Sequence, residues 1–185
     1  MRIVGGAWRG RTLTAPPGQG TRPTADRVRQ ALFDMLIHAP WGGRQVLDGA
    51  VVLDVFAGTG ALGLEALSRG AASAYFIEND SAALRVLRAN VTACGAAKQV
   101  TILAADVLTL APARMSVGAG LVFLDPPYGH DLVPRAILHL RQTGYIAASA
   151  LAVAETARDD MLNVEFDVLA ERNYGVARVM VFRLP

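Results

Sequence analysis

The chain has 185 residues, 52% hydrophobic and 18% charged, which fits one domain of ordinary size and excludes disorder over most of its length. No apolar run reaches the ~18–20 residues that span a bilayer, and the first residues lack the apolar stretch of a signal peptide. One cysteine (Cys94) and three scattered histidines offer neither an internal disulfide nor a metal cluster, so the sequence predicts a soluble, cytoplasmic, metal-free protein.

The net charge of +2 is unevenly spread. Residues 1–44 carry seven arginines against Asp26 and Asp34, a net +5, while the remainder carries −3. Lys98 is the only lysine, so a coding bias explains arginine over lysine. It does not explain the asymmetry, which predicts an arm that meets a polyanion.

In chain order, glycines and prolines punctuate residues 1–23, and a small hairpin is expected around Arg2–Val4 and Arg9–Leu13. Thr24 reads as the N-cap of a helix whose apolar positions are Val28, Ala31, Leu32, Met35 and Leu36, ending near His38–Pro40. From there short apolar runs alternate with helical stretches, the pattern of a parallel α/β sheet. Strands are predicted at Val51–Phe56, Ala74–Glu78, Val100–Leu103, Leu121–Asp125 and Leu151–Glu155, with helices near Leu62–Ser68, Ser81–Ala93 and Asp131–Leu140. Glu165–Glu171 and Ala177–Phe182, flanking Arg172-Asn173-Tyr174-Gly175, read as an antiparallel hairpin at the sheet edge. Two parts result: a basic hairpin-helix extension over residues 1–44 and an α/β body over residues 45–185.

The run Asp54-Val55-Phe56-Ala57-Gly58-Thr59-Gly60-Ala61-Leu62-Gly63 is a strand, a tight turn and a helix start. Such a turn lets backbone approach a ligand and presents the free N–H groups of a helix N-terminus. Gly58, Gly60 and Gly63 fit the dinucleotide spacing, and Glu78, 18 residues after Gly60, is placed to grip a ribose. A diphosphate, however, is repelled by a carboxylate such as Asp54 aimed at the turn. S-adenosylmethionine carries no phosphate, and its cationic amino group suits that acid. Asp106, after the third strand, is placed to accept from an adenine amine, although surface-loop aspartates are commoner than ligand-binding ones.

Asp125-Pro126-Pro127-Tyr128 closes the fourth predicted strand, at the carboxyl end of the sheet where ligands lie in open α/β folds. A rigid strand-terminating loop is the plain alternative. The chemistry of an aromatic amine explains each member. Its lone pair is delocalised into the ring, and the Asp125 carboxylate with the Pro126 carbonyl can accept from the amine and turn that pair towards a methyl donor. Pro126 and Pro127 fix the acceptors. Tyr128 offers a ring on which an extruded base stacks.

With these blocks the chain resembles the bacterial 16S rRNA guanine-N2 methyltransferase family RsmD. The likeness lies in Arg2–Arg11, in Arg22-Pro23-Thr24-Ala25-Asp26-Arg27-Val28-Arg29, in the glycine turn, in Asp-Pro-Pro-Tyr and in Arg172-Asn173-Tyr174-Gly175. It implies a class I, Rossmann-like fold with a mostly parallel sheet and an antiparallel C-terminal hairpin, using S-adenosyl-L-methionine. It further implies a substrate in 16S rRNA or the assembling small ribosomal subunit; the sequence is silent on oligomeric state, for which a monomer is the expectation. Asp125, Pro126, Pro127 and Tyr128 match the catalytic loop, and Asp54, Phe56, Gly58, Gly60, Glu78 and Asp106 the cofactor side. Thr24 matches a block near the methionine end of the cofactor or the incoming RNA. Arg9, Arg11, Arg22 and Arg27 are the expected RNA contacts. Residues 109–119 match nothing in the family.

Other acceptors on the same scaffold stay open: adenine N6, cytosine N4 or a protein glutamine. A nicotinamide-dependent oxidoreductase is a remoter alternative, since it leaves Asp54 and the Asp-Pro-Pro-Tyr loop without a purpose. So is a non-catalytic RNA-binding module, against which the intact loop speaks.

Overall fold

The first fifteen residues fold back on themselves. Arg2 bridges Thr12, and the N–H groups of Ile3, Gly10 and Leu13 donate to the carbonyls of Arg11, Ile3 and Met1 at 2.9, 2.9 and 3.0 Å. The expected hairpin is therefore present but reduced to one bridge, because Gly6–Trp8 coil into a 3-10 turn between its arms. Ile3 and Leu13 enter the core and anchor it. The computed structural model describes residues 1–15, 23–115, 118–127, 131–158 and 166–185.

Helix α1 spans Pro23–His38, so Thr24 falls in the first turn instead of capping it. Proline suits the first helical position, where its fixed φ is already helical and its missing N–H costs nothing. The helix stops before Pro40, which disfavours helical backbone in the residue ahead of it.

Seven strands form one sheet: β1 (Val51–Val55), β2 (Ser73–Glu78), β3 (Val100–Ala104), β4 (Ala119–Leu124), β5 (Ile146–Ala157), β6 (Asp167–Tyr174) and β7 (Ala177–Arg183). Their order is β3-β2-β1-β4-β5-β7-β6, parallel except for β7, which runs antiparallel to both neighbours. Helices α2 (Ala61–Ser68), α3 (Ser81–Cys94) and α4 (Leu132–Gln142) connect the parallel strands. One face of the sheet packs through Phe76 and Phe123 against Phe33 of α1, Leu64 of α2 and Leu87 of α3. The other packs through Leu53, Val122 and Phe182 against Val133, Ile137 and Leu140 of α4. Covered on both sides, β4 ends in an unbroken apolar run and β1 is apolar except for Asp54, which is why the sequence announces them.

Most strand boundaries differ by a residue or more from the sequence expectation. β5 starts at Ile146 instead of Leu151, where the small residues Ala147–Ala150 give no strand pattern. Its register against β4 shifts there, and Ser149 has φ +59°. β4 ends at Leu124, leaving Asp125 one residue beyond the strand. The terminal hairpin closes through a two-residue turn at Gly175-Val176, so Arg172–Tyr174 belong to β6 and Tyr174 pairs with Ala177. Among the described residues no helix is long and apolar enough to cross a membrane.

Candidate active site at the carboxyl edge of the sheet

The strand order reverses at β1, which pairs with β2 on one side and β4 on the other, and ligands of open α/β sheets lie at such a point. Register places the side chains there. Asp54 is level with Phe76 and Phe123, and Phe123 with Val153. Two residues on, past the ends of β1 and β4, one row crosses four chains: Glu78, Phe56, Asp125 and Glu155. Side chains alternate along a strand, so Glu78, Asp125 and Glu155 continue the face of Phe76, Phe123 and Val153. Asp54 lies on the same face, one step below. Four carboxylates thus converge on one edge.

Each is held differently. Asp54 is 2% exposed, and its Oδ2 accepts from Gly63 N–H in the first turn of α2 at 2.8 Å. Burial pushes its pKa to about 8; the Gly63 bond opposes this, while Asp125 and Glu78 add to it. Glu78 accepts from Gly58 N–H through Oε2 and from Asn79 and Asp80 N–H through Oε1, all at 2.8 Å. The two acids therefore act first on the protein: Glu78 pins the near side of the glycine turn, and Asp54 the helix that follows. Asp125 is exposed as a residue, yet desolvation, together with the Glu155 charge, raises its pKa.

The turn itself is tightly built. Phe56 has φ +61°, a left-handed conformation that costs a bulky residue roughly 1–3 kcal/mol, and Gly58 and Gly60 follow at +54° and +76°. A side chain at Gly63 would begin 2.5 Å from the Phe76 ring, so only glycine lets α2 close onto β2. At Gly60 a Cβ would meet Leu87 at 2.3 Å. Pro126 is buried and Pro127 exposed. Asp106 is exposed, and its side chain caps the 3-10 turn Val107–Thr109 by accepting from Leu108 N–H at 2.9 Å. Tyr128 and Arg22 lie outside the described residues, as does the side chain of Thr24.

The arginines divide into two sets. Arg9 and Arg27 are exposed and, with Arg2, Thr12, Asp26 and Gln30, line a groove of about 660 Å³ between the arm and α1. Arg11 is turned away from it and donates to Ala93 O at the end of α3, at 2.7 Å. Arg29 and Arg69 are buried on Glu65, which is itself fully buried in α2. Arg69 Nε donates to Oε1 at 2.7 Å, Arg29 Nε stands 3.6 Å from Oε2, and Val4 N–H donates to Oε2 at 2.8 Å. Arg29 also donates to Arg2 O and to Asp26 Oδ1. Much of the basic charge near the arm is thus internal structure.

Sequence reasoning missed Glu155 and Arg2. Glu155 was visible only as the acid ending the fifth predicted strand, and it takes register to set it beside Asp125.

The sheet order and the site at its reversal define a Rossmann-like fold of the class I methyltransferases. The Escherichia coli protein yhhF superposes with a TM-score of 0.80 at 34% identity, over 99% of this chain and 97% of that one. An RNA methyltransferase of Salinibacter ruber, solved with S-adenosyl-L-homocysteine, shares the fold at a TM-score of 0.63 and 18% identity, over 86% and 91% of the two chains. In sequence, the ribosomal RNA small subunit methyltransferase D of Escherichia coli K12 is 43% identical over 158 residues, 84% of this chain and 74% of that protein. The family model described as Conserved hypothetical protein 95 matches residues 1–183. The chain belongs to this family, that of the ribosomal RNA small subunit methyltransferase D proteins.

Proposed function

We propose that this protein transfers the methyl group of S-adenosyl-L-methionine to the exocyclic N2 of a guanine in 16S rRNA. The observation that carries it is the acid row beside the glycine turn. A cationic cofactor is drawn to the acids Glu78 and Asp125, whereas a dinucleotide would set its diphosphate against them. When bound, S-adenosyl-L-methionine supplies a methyl group on a positively charged sulfur. Asp54, Phe56, Gly58, Gly60, Glu78, Asp106 and Thr24 are assigned to holding it.

The chain's own part in the reaction is to prepare the amine. Asp125 carboxylate and Pro126 carbonyl accept from the N2 protons and turn the lone pair towards the methyl group. The N–C bond forms as the C–S bond breaks, and its electrons stay on sulfur. The alkylated nitrogen then sheds one proton, which the carboxylates at Asp125 and Glu155 are placed to receive on its way to solvent. Pro127 stiffens the loop, and Tyr128 is assigned to stacking with the base.

Residues 1–44 act as an RNA-facing extension on a catalytic body of residues 45–185, and the enzyme works as a monomer in the cytoplasm, on free 16S rRNA or the assembling small subunit. Arg9 and Arg27 in the groove are the RNA contacts supported best, and Arg22 is kept as a third on the sequence alone. Arg11 serves first as a staple to α3.

The test is methyl transfer to small subunits from a strain lacking the enzyme, mapped by primer extension. One modified guanine in 16S rRNA is the expected result, and a methylated adenine or cytosine would overturn the guanine assignment. Calorimetric titration should show binding of S-adenosylhomocysteine and none of NAD; the reverse would overturn the cofactor.

A further inference from the structure

Asn90 of α3 joins the arm to the cofactor turn. It is fully buried, and its amide is shared between two segments more than forty residues apart. Its Oδ1 accepts from Thr14 N–H at 2.8 Å, and its Nδ2 donates to Thr14 O at 3.0 Å and to Thr59 O at 2.9 Å. Both donors of one amide group and its acceptor are thereby committed to backbone. A second thread reaches the same residue: Met1 lines the arm groove, its Sδ contacts Thr59 Oγ1 at 3.6 Å, and its carbonyl accepts from Leu13 N–H. Met1 directly, and Thr14 through Asn90, therefore connect the arm to the cofactor turn at Thr59, between Gly58 and Gly60. On its other side the turn is held by Glu78 through Gly58 N–H.

The groove supplies the other end of the connection. Arg2, Arg9 and Arg27 line it; Asp26 among them is engaged by Arg29 at 2.7 Å and also stands 3.7 Å from Arg2 Nε, so the exposed Arg9 and Arg27 are the groove's main cations. Guanidinium groups opening into one concave surface suit phosphate oxygens, so the occupant is RNA backbone. We propose that Asn90 is a positioning residue through which RNA in this groove and cofactor at the glycine turn strengthen each other's binding. Each ligand fixes backbone that the other also uses, so whichever binds second has less left to order. The proposal rests on the function assigned above.

The test is S-adenosylhomocysteine affinity measured with and without a saturating small-subunit rRNA fragment. The wild type should bind about 5-fold or more tighter with RNA, and RNA should bind tighter by the same factor with cofactor product, since coupling is reciprocal. Asn90→Ala should bring the factor to about one. Arg9→Ala/Arg27→Ala should leave cofactor affinity without RNA unchanged. In the wild type, RNA alone should slow amide exchange at Thr59 and Gly60, a measurement that needs no variant to fold. A coupling factor of one in a wild type that binds both ligands, a full factor in Asn90→Ala, or unchanged exchange overturns the proposal while leaving the assigned function intact. Failure of the wild type to bind RNA at all overturns both. Polyglutamate of matched charge replacing RNA in the coupling would overturn the RNA occupant.

Discussion

Asp125, one residue beyond β4, and Glu155, inside the neighbouring parallel strand β5, each follow the level pair Leu124 and Ala154. Like charges at this spacing oppose each other's ionisation, and the Asp125 pKa is raised by burial and by Glu155. The pair ties an acid legible in the sequence to one that was not. It also places a pH-sensitive group where the acceptor amine is to be held.

Methyl transfer should therefore fall on the acid side as Asp125 takes up a proton. Glu155→Gln removes the opposing charge, so the Asp125 pKa drops and the acid limb moves to lower pH, by about one unit. Asp54 and Glu78 remain on the other side of Asp125. On β7, Arg178 lies opposite Thr156, next along from Glu155, and α1 turns Arg29 to Asp26 and Glu65, so those charges stay in place. Profiles of kcat/KM against pH for the two proteins make the comparison. An acid limb that stays put would show that Glu155 does not act on Asp125. Asp125→Ala should abolish transfer while keeping S-adenosylhomocysteine affinity within a few-fold.

Asp54 makes a separate prediction about stability. Its pKa rises from 3.8 unfolded to about 8 folded. Below the unfolded value the group is neutral in both states and costs nothing. As pH climbs through the window, the folded protein retains a proton that the unfolded chain has released. Folding then loses up to about 1.4 kcal/mol per pH unit until the folded pKa is passed. Asp54→Asn keeps an oxygen for Gly63 N–H and has no proton to titrate. Urea unfolding at pH 5 and pH 7.5 should show the variant gaining on the wild type at the higher pH; parallel pH slopes would refute the buried titration.

How much of this was legible follows from how local each feature is. The parallel strands and the glycine turn declare themselves in contiguous residues, because buried strands must be apolar and a turn against a helix start must be glycine-rich. Asp54 and Glu78 could be placed at the site, but not their first task, since their bonds to Gly63 and Gly58 are set by how the turn closes. Glu155 needed register. Asn90 and Glu65 needed tertiary packing, because a helical Asn or Glu gives no sign that it will be buried on backbone from the arm. The charge of residues 1–44 was read correctly as a sum and incompletely as a map: Arg29 serves Glu65 and Asp26, and Arg11 serves Ala93.

Glu65 should be among the costliest positions in the chain to change. It is the sole acid touching both Arg29 and Arg69 among the described contacts, and it also receives Val4 N–H. Glu65→Ala leaves Arg29 with Asp26 and Arg2 O, and Arg69 with Asp34 and Gln30, but removes the buried carboxylate they share and strands the Val4 donor. Breaking a buried ion pair from one side costs about 3–5 kcal/mol. Urea denaturation should show a loss of that size together with faster amide exchange at Val4. A loss below about 1 kcal/mol would mean that water reaches the two arginines freely.

The groove arginines give the last prediction. Each phosphate neutralised releases about 0.9 counterion on duplex and about 0.7 on single strands, so three or four engaged arginines give a log–log salt slope of roughly −2 to −4 for RNA binding. Arg9 and Arg27 line the groove and are exposed, so Arg9→Ala/Arg27→Ala should flatten the slope by about one to two and weaken binding. Arg11→Ala is the informative contrast. Its side chain is bonded to Ala93 O, outside the groove, so it should change the slope much less while loosening the arm from α3. Fluorescence anisotropy with a small-subunit rRNA fragment across a salt series separates the two. Equal flattening by Arg11→Ala would show that the RNA path runs over the α3 end of the arm. An unchanged slope in the double variant would take the groove out of the RNA contact altogether.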